Sequence, residues 1–327
     1  MQNIFVSDAE VASAITMQEA IEVMRAAFVD LGRDQSFVQD RMRLHGTGAS
    51  LSMMGGIYGA AQVMGTKVYS TVQGQFDFVI PLFSSATGKL LRIVQGNQLT
   101  RLRTAAVTRI VADAVVPAGP LRLAIFGSGV QARAHAEAFC ERGRVSQVLV
   151  CAIDGADAFS ADIGRLYGIA SDTADAERAV RDADIVITAT RATAPLFDGA
   201  LLKPGAFVAA IGSSKPQARE VDDQVLARAS MVIVESAGQA LREAGEFVMA
   251  SRPEALVAKL VELGPLLAGE VSARAQGGGD IVLYKSVGIG LEDVALAHRI
   301  HQRLPMSAPQ AESEALPSGL ESAASRL

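Results

Sequence analysis

The sequence predicts an α/β protein in two bodies: a doubly wound parallel sheet, and a smaller α+β body built from both ends of the chain. Three features predict it. The apolar strand Arg122-Leu-Ala-Ile-Phe126 runs directly into Gly127-Ser-Gly129-Val-Gln-Ala132 and then a helix. Beyond that turn strands and helices alternate, the pattern of a parallel sheet covered on both faces. Ahead of it lies a run of β-like segments, closed off by Pro117-Ala-Gly-Pro120. At 327 residues, half of them hydrophobic, the chain is long enough for two cores.

Taken in order, Ser7-Asp-Ala-Glu10 and Thr16-Met-Gln-Glu19 have capping-box spacing and mark two helix starts. Apolar residues recur at helical intervals between Ala20 and Leu31, so the second helix buries one face. Strands are expected near 50–54, 61–72, 77–84 and 89–95, with Ser85-Ala-Thr-Gly88 as a hairpin turn. An alanine-rich helix follows from Thr100 to Val115. Parallel strands are expected at 121–126, 147–152, 184–189, 206–212 and 231–235, a short one near 168–170, and helices between them, as at Gln131–Phe139 and Ala174–Arg181. The chain returns through the flexible Gln276-Gly-Gly-Gly279 to Ile281-Val-Leu-Tyr-Lys285-Ser-Val-Gly288 and a last helix, about Glu292 to Gln302. Residues 1–118 and 281–327 are assigned to the split body and 119–280 to the sheet body, with a loosely ordered Ser/Pro/Ala/Glu-rich tail from about 305.

The glycine turn carries the first functional reading. Gly127 permits a tight turn and Gly129 lets a pyrophosphate approach the backbone. Ala132 takes the third position, where helix packs on strand. The free N–H groups at the helix start, reached from Ser128, Val130 and Gln131, form the anion site. Asp154, 27 residues after Gly127, is the candidate for the adenosine ribose hydroxyls. Neither Ala152 nor Ile153 supplies a cation for a 2′-phosphate, which favours NAD(H) over NADP(H), with Arg133 as the residue that could reverse the choice.

Other classes are excluded. A net charge of −5 and the lack of a compact basic cluster argue against nucleic acid. No apolar run is long enough to span a bilayer, and the N-terminus lacks a signal-peptide pattern, so a cytoplasmic enzyme is expected. Cys140 and Cys151 fit no metal or redox spacing and read as small apolar residues. His298 and His301 could share a helix face, but two ligands do not make a zinc site, and no metal is expected.

An anionic substrate beside a nicotinamide needs fixed positive charge. Lys67 lies in a strand among apolar and small residues, and Arg103 near the start of an apolar helix, where the helix dipole disfavours a cation. Arg41 precedes the first strand, with Arg43 as its competitor.

Four motifs then fall in order: Gly65-Thr-Lys67, Thr100-x-x-Arg103-Thr-Ala-Ala, Gly127-Ser-Gly-Val-Gln-Ala132 and Lys285-Ser-Val-Gly-x-x-x-Glu292-Asp293. With them the chain resembles the ornithine cyclodeaminase/mu-crystallin family over about residues 4–302. The resemblance implies a central Rossmann domain, a split substrate-binding domain that forms a homodimer, and an active site between them. It implies hydride transfer between NAD(P)(H) and the α-carbon of an amino or cyclic imino acid. Arg41, Lys67 and Arg103 become substrate residues, with Lys67 steering or protonating the atom at the reacting carbon. Thr104, Thr188, Ala189, Thr190, Ser213, Lys285 and Gly288 join the glycine turn as cofactor residues. The cyclodeaminases carry an aspartate after the strand at 206–211, where this chain has Gly212-Ser-Ser214-Lys-Pro216. Serine cannot carry the charge that binds an ammonium. The resemblance is therefore closer to the ketimine reductases, with a cyclodeaminase second and a non-catalytic, crystallin-like binding protein third. Glu220 and Asp222 are expected outside the site.

Overall fold

The computed structural model describes residues 4–141, 144–272 and 280–305, so Gln276–Gly279 and the tail beyond 305 lie outside the described residues. The split body is built on β1 (Phe5–Val6), β2 (Ser36–Val38), β3 (Met42–His45), β4 (Ala49–Tyr58), β5 (Val63–Val72), β6 (Gln75–Ser84) and β7 (Leu90–Gln95). Their order is β1-β7-β6-β5-β4-β2, with β3 also on β4. Every pair is antiparallel except β1 with β7. The 85–88 hairpin turn forms, with Gly88 at φ 71° and its N–H bonded to the Ser84 carbonyl. Helices α1 (Asp8–Ala14), α2 (Met17–Gly32) and α3 (Asn97–Val115) belong to this body. Both predicted capping boxes close: Ser7 with Glu10 and Thr16 with Glu19. Met17, Ala20, Val23, Met24, Ala27 and Phe28 of α2 are buried, the single apolar face its periodicity requires.

The α3 helix starts at Asn97, three residues before the expected Thr100. Gly96 has no side chain to cap it. Asp8 supplies the cap instead, accepting from Gln98 N (2.8 Å) and Asn97 Nδ2 (2.9 Å). A cap contributed from ninety residues away leaves no local signature. Arg103 consequently sits in the second turn, where the dipole matters less than its ion pairs.

The second body contains β8 (Leu121–Phe126), α4 (Val130–Cys140), β9 (Val145–Cys151), α5 (Ala156–Tyr167), β10 (Ala170–Thr173), α6 (Ala176–Asp182), β11 (Ile185–Thr188) and β12 (Phe207–Ala210). It continues with α7 (Asp223–Arg228), β13 (Ala229–Val234), α8 (Ala237–Glu243), α9 (Gly245–Val248), α10 (Pro253–Val257), β14 (Leu260–Glu262), α11 (Leu263–Ala268) and β15 (Ile281–Lys285). The eight strands are parallel in the order β10-β9-β8-β11-β12-β15-β13-β14. Side-chain alternation sends Leu123 and Ile125 into one apolar cluster and Ala124 and Phe126 into another, so both faces are covered. The strand order reverses between β8 and β11. That is where a doubly wound sheet opens a ligand crevice at its carboxyl edge.

One boundary shifts. The strand at 281–285, assigned above to the split body, is inserted between β12 and β13 of the parallel sheet. The chain re-enters the first body only after Lys285, through α12 (Gly290–Arg303). An apolar strand fits either sheet by pattern alone; the vacant position beside β12 decides it.

Replacing Asp8 with alanine removes both bonds to the start of α3. It is expected to cost about 1–2 kcal/mol, readable as a lower urea midpoint with an unchanged m-value.

Candidate active site

Strand register sets out the cleft. Lys67 pairs with Met54, and Arg43 with Ser52, on neighbouring ladders of the same sheet. Paired residues share a face, and so do residues two apart, so Arg43, Ser52, Met54 and Lys67 all face one side. Arg41 joins that row, its guanidinium 3.3 Å from Met54 Sδ. Tyr69, Phe76 and Phe78 form a ring cluster on the same side, with Lys67 Nζ 4.3 Å from the Phe78 centroid. The 73–78 hairpin therefore borders the cleft. Tyr58, Ala60 and Ala61 instead line a separate cavity of about 430 Å³ with Val23, Ala26 and His298.

Lys67 is 2% exposed. Its Nζ donates to Thr100 Oγ1 (2.7 Å) and Asp293 Oδ1 (3.1 Å). Burial lowers its pKa to about 7, aided by Arg103 and Arg41 and opposed by Asp293. Arg103 Nη1 donates to Glu292 Oε2 at 2.5 Å, and Nε lies 3.5 Å from Asp293 Oδ1. Burial disfavours the Arg103 charge, but Glu292 and Asp293 outweigh it and raise its pKa. Glu292 is itself pushed up to about 7 by burial, against the pull of Arg103. Gly288 has φ 74°, and a Cβ there would stand 2.6 Å from Arg103 Nη1, so glycine is required by both backbone and space.

Arg41 and Arg43 reach across to the parallel-sheet body. Arg41 is ion-paired with Glu243 and donates to the carbonyls of Val287 (2.6 Å) and Gly288 (3.2 Å). Arg43 donates to the Ser214 carbonyl (3.2 Å) and hydroxyl (3.1 Å), 3.8 Å from Glu243.

The glycine turn lies at the strand-order reversal. Gly127 has φ 105°, and a Cβ would meet the Ala189 carbonyl at 2.6 Å, so the β8 and β11 ends touch only because it is glycine. At Gly129 a Cβ would meet nothing within 4 Å: the space beside the α4 N-terminus is open, as a pyrophosphate needs. Ala132 is fully buried against the sheet, and Gln131 Nε2 donates to the Thr100 carbonyl at 3.4 Å. Thr104 also bonds that carbonyl, at 2.8 Å. Ser128 Oγ donates to the Asp154 carbonyl (2.7 Å), drawing the β8 and β9 loops together, with Val130 and Ile153 exposed beside them. Arg133 is engaged by Asp162 (2.8 Å) and stacks over Phe159.

Several predicted cofactor residues are supports. Thr188 is fully buried and donates to Glu220 (2.7 Å). Glu220 also accepts from Thr190 N (2.8 Å), Thr190 Oγ1 (2.7 Å) and Gly212 N (2.7 Å). It lies beneath the cleft floor and ties the loop after β11, with Ala189 and Thr190, to the loop after β12. Lys285 has no exposed surface; its Nζ lies 3.0 Å from Glu246 and donates to the Ser213 carbonyl (2.7 Å). It fixes the Ser213 loop rather than offering its charge to a ligand. Sequence reasoning set Glu220 outside the site without seeing its supporting role, and missed Glu235, Glu243 and the roles of Glu292 and Asp293. The available signal was charge balance, since buried cations demand buried carboxylates. Glu235, at the end of apolar β13, accepts from Tyr284 OH (2.8 Å), Ser286 Oγ (2.6 Å) and Val287 N (3.1 Å), shaping the return into α12. His301 accepts from Arg92 (3.2 Å), and among the described residues no three His, Cys, Asp or Glu converge as metal ligands.

Fold and site together define a dinucleotide-binding α/β protein whose split body presents buried cations to the crevice. The chain belongs to the ornithine cyclodeaminase/mu-crystallin family, whose model matches residues 1–307. Ketimine reductase mu-crystallin of Mus musculus is 30% identical over 260 residues, 77% of this chain and 79% of the relative. A crystal structure of a probable ornithine cyclodeaminase from Bordetella pertussis Tohama I superposes with TM-score 0.88 at 45% identity, covering 92% and 96% of the two chains. Thermococcus litoralis Δ1-pyrroline-2-carboxylate reductase, in complex with NADH and L-proline, gives TM-score 0.85 at 25% identity, over 92% and 97%.

Glu220→Ala strips an acceptor from four donors below the cleft. The expected loss is roughly 3 kcal/mol or more of unfolding free energy, measured by chemical denaturation.

Proposed function

We propose that this chain is an NAD(P)H-dependent reductase of small imino acids, acting on cyclic ketimine carboxylates of the Δ1-pyrroline-2-carboxylate type. The observation that carries the reading is Lys67: a buried amine bonded to Asp293 and to Thr100, the residue whose carbonyl also takes Gln131 of the glycine-turn helix, with burial lowering its pKa to about 7. The names of the mouse and Thermococcus relatives support the same chemistry. Arg103 and Arg41 hold the substrate carboxylate, bidentate recognition being what guanidinium does best. When bound, the nicotinamide would supply the hydride for the α-carbon. Lys67 gives its proton to the imine nitrogen, leaving an amine and a neutral lysine. Gly127, Ser128, Gly129, Val130 and Gln131 would hold the pyrophosphate and Asp154 the ribose, and Thr104, Ala189, Thr190, Ser213 and Gly288 would hold the nicotinamide end.

NADH is the preferred coenzyme in this reading, because Arg133 is already engaged by Asp162 and a 2′-phosphate would meet Asp154. Residues up to about 118, with those after Lys285, form the substrate body. Its outer sheet face, with Phe37, Met42, Leu44, Leu51, Ile57 and Val72 exposed, is the dimer interface. Two free cysteines suit a reducing, cytosolic compartment.

A second reading, ornithine cyclodeaminase, is favoured by the Bordetella likeness. Against it, the position of the missing acid is Ser214, held by Arg43, and a substrate ammonium there would face a cation. The deciding experiment follows absorbance at 340 nm with NADH, then NADPH, and Δ1-pyrroline-2-carboxylate. Oxidation of the coenzyme is expected; no oxidation, with ammonia and proline released from ornithine on catalytic NAD, would establish the second reading.

Reduction needs charged Lys67 and should fall as pH rises through about 7, whereas amino-acid oxidation needs the neutral amine and should rise through the same range. Lys67→Ala is expected to lower kcat about 10²–10⁴-fold and to abolish that pH limb.

A further inference from the structure

We propose that Asp293 is the positioning residue that keeps the Lys67 ammonium charged and oriented for proton delivery. The inference rests on Lys67 being the proton donor. Asp293 is fully buried in the first turn of α12, where the helix N-terminus favours its charge. Its Oδ1 lies 3.1 Å from Lys67 Nζ and 3.5 Å from Arg103 Nε. Its Oδ2 and Arg103 Nε, both buried, make no hydrogen bond within the protein. The neighbouring Glu292 has both oxygens bonded, Oε1 accepting from Ile289 N at 3.0 Å and Oε2 from Arg103 at 2.5 Å. Of the two carboxylates that open α12, Asp293 is the one in contact with the amine and the one with an unbonded oxygen.

An ammonium has three N–H donors. Thr100 and Asp293 take two of those on Lys67, which leaves one for a substrate nitrogen. The groups facing Lys67 are Asp293 from α12, Thr100 and Arg103 from α3, Arg41 from the segment before β3, Met54 from β4 and Phe78 from β6, with Glu292 reached only through Arg103. Burial and two guanidinium groups push the proton off; Asp293 is the carboxylate in contact that keeps it on. On each turnover the C=N bond gains hydride at carbon and the Lys67 proton at nitrogen. Asp293 then favours recharging of the neutral amine from solvent.

The test is the pH dependence of kcat/KM for ketimine reduction by the full-length protein and its variants. Asp293→Asn should move the basic limb toward acid by about one pH unit or more. The loss would then be roughly tenfold at pH 8 and small at pH 6, falling on kcat more than on KM. Asp293→Glu should restore the limb, and Thr100→Val, which removes a neutral acceptor, should lower the rate at every pH and move the limb far less than Asp293→Asn does. A limb left in place by Asp293→Asn, with equal loss at all pH values, would overturn the proposal. If that variant does not fold, Asp293→Ser gives the same reading, because its hydroxyl still accepts but carries no charge. Lys67→Met separates the two layers. Retained turnover with a basic limb would sink the proton-donor reading itself, whereas an inactive Lys67→Met beside an unmoved Asp293→Asn limb would sink only the role given to Asp293.

Discussion

Four charged side chains, Lys67, Arg103, Glu292 and Asp293, lie almost wholly out of water where β5, α3 and the first turn of α12 meet. Each would be prohibitively costly to bury alone, and none can be removed without stranding another. That constraint reaches well beyond the cleft. It demands that α12 return from the parallel sheet with its N-terminus against β5. It requires Gly288 to be glycine, since any side chain there would strike Arg103. It also requires Glu235 to gather Tyr284, Ser286 and the backbone after it, so that the chain enters α12 at the right place.

The two bodies contribute different things. The parallel sheet supplies an open, glycine-lined crevice whose loops are fixed from below by Glu220 and Lys285. The split body supplies charge on a β-sheet face, where ladder register places each side chain without help from loops. Chemistry that joins a dinucleotide to an anionic substrate needs both, and neither body carries it alone.

Most of the architecture was legible because it is periodic. The alternation after Gly127, the two capping boxes and the amphipathic α2 are local patterns, and local patterns survive in sequence. The cations were legible for another reason: Lys67 and Arg103 violate their apolar surroundings. Their partners were not, because Glu292 and Asp293 open a helix as ordinary acidic N-terminal residues do. Nor was Asp8, whose capping of α3 is a long-range contact. Lys285 misled in the opposite sense. A motif lysine suggests a ligand, yet its charge is spent on Glu246.

The union of Arg41 with Glu243 has a kinetic side. An arginine already holding a carboxylate accepts a second one only by exchange, so a carboxylate ligand at Arg41 would gain only the difference between its own attraction and that of Glu243. Ground-state affinity would thereby be held down. When such a ligand left, the glutamate, tethered at high local concentration, would recapture the guanidinium. The same contact spans both bodies, so each such exchange of partners would also loosen and remake a seam between them. Brief residence of product and repeated relaxation of that seam would follow from one glutamate placed opposite one arginine.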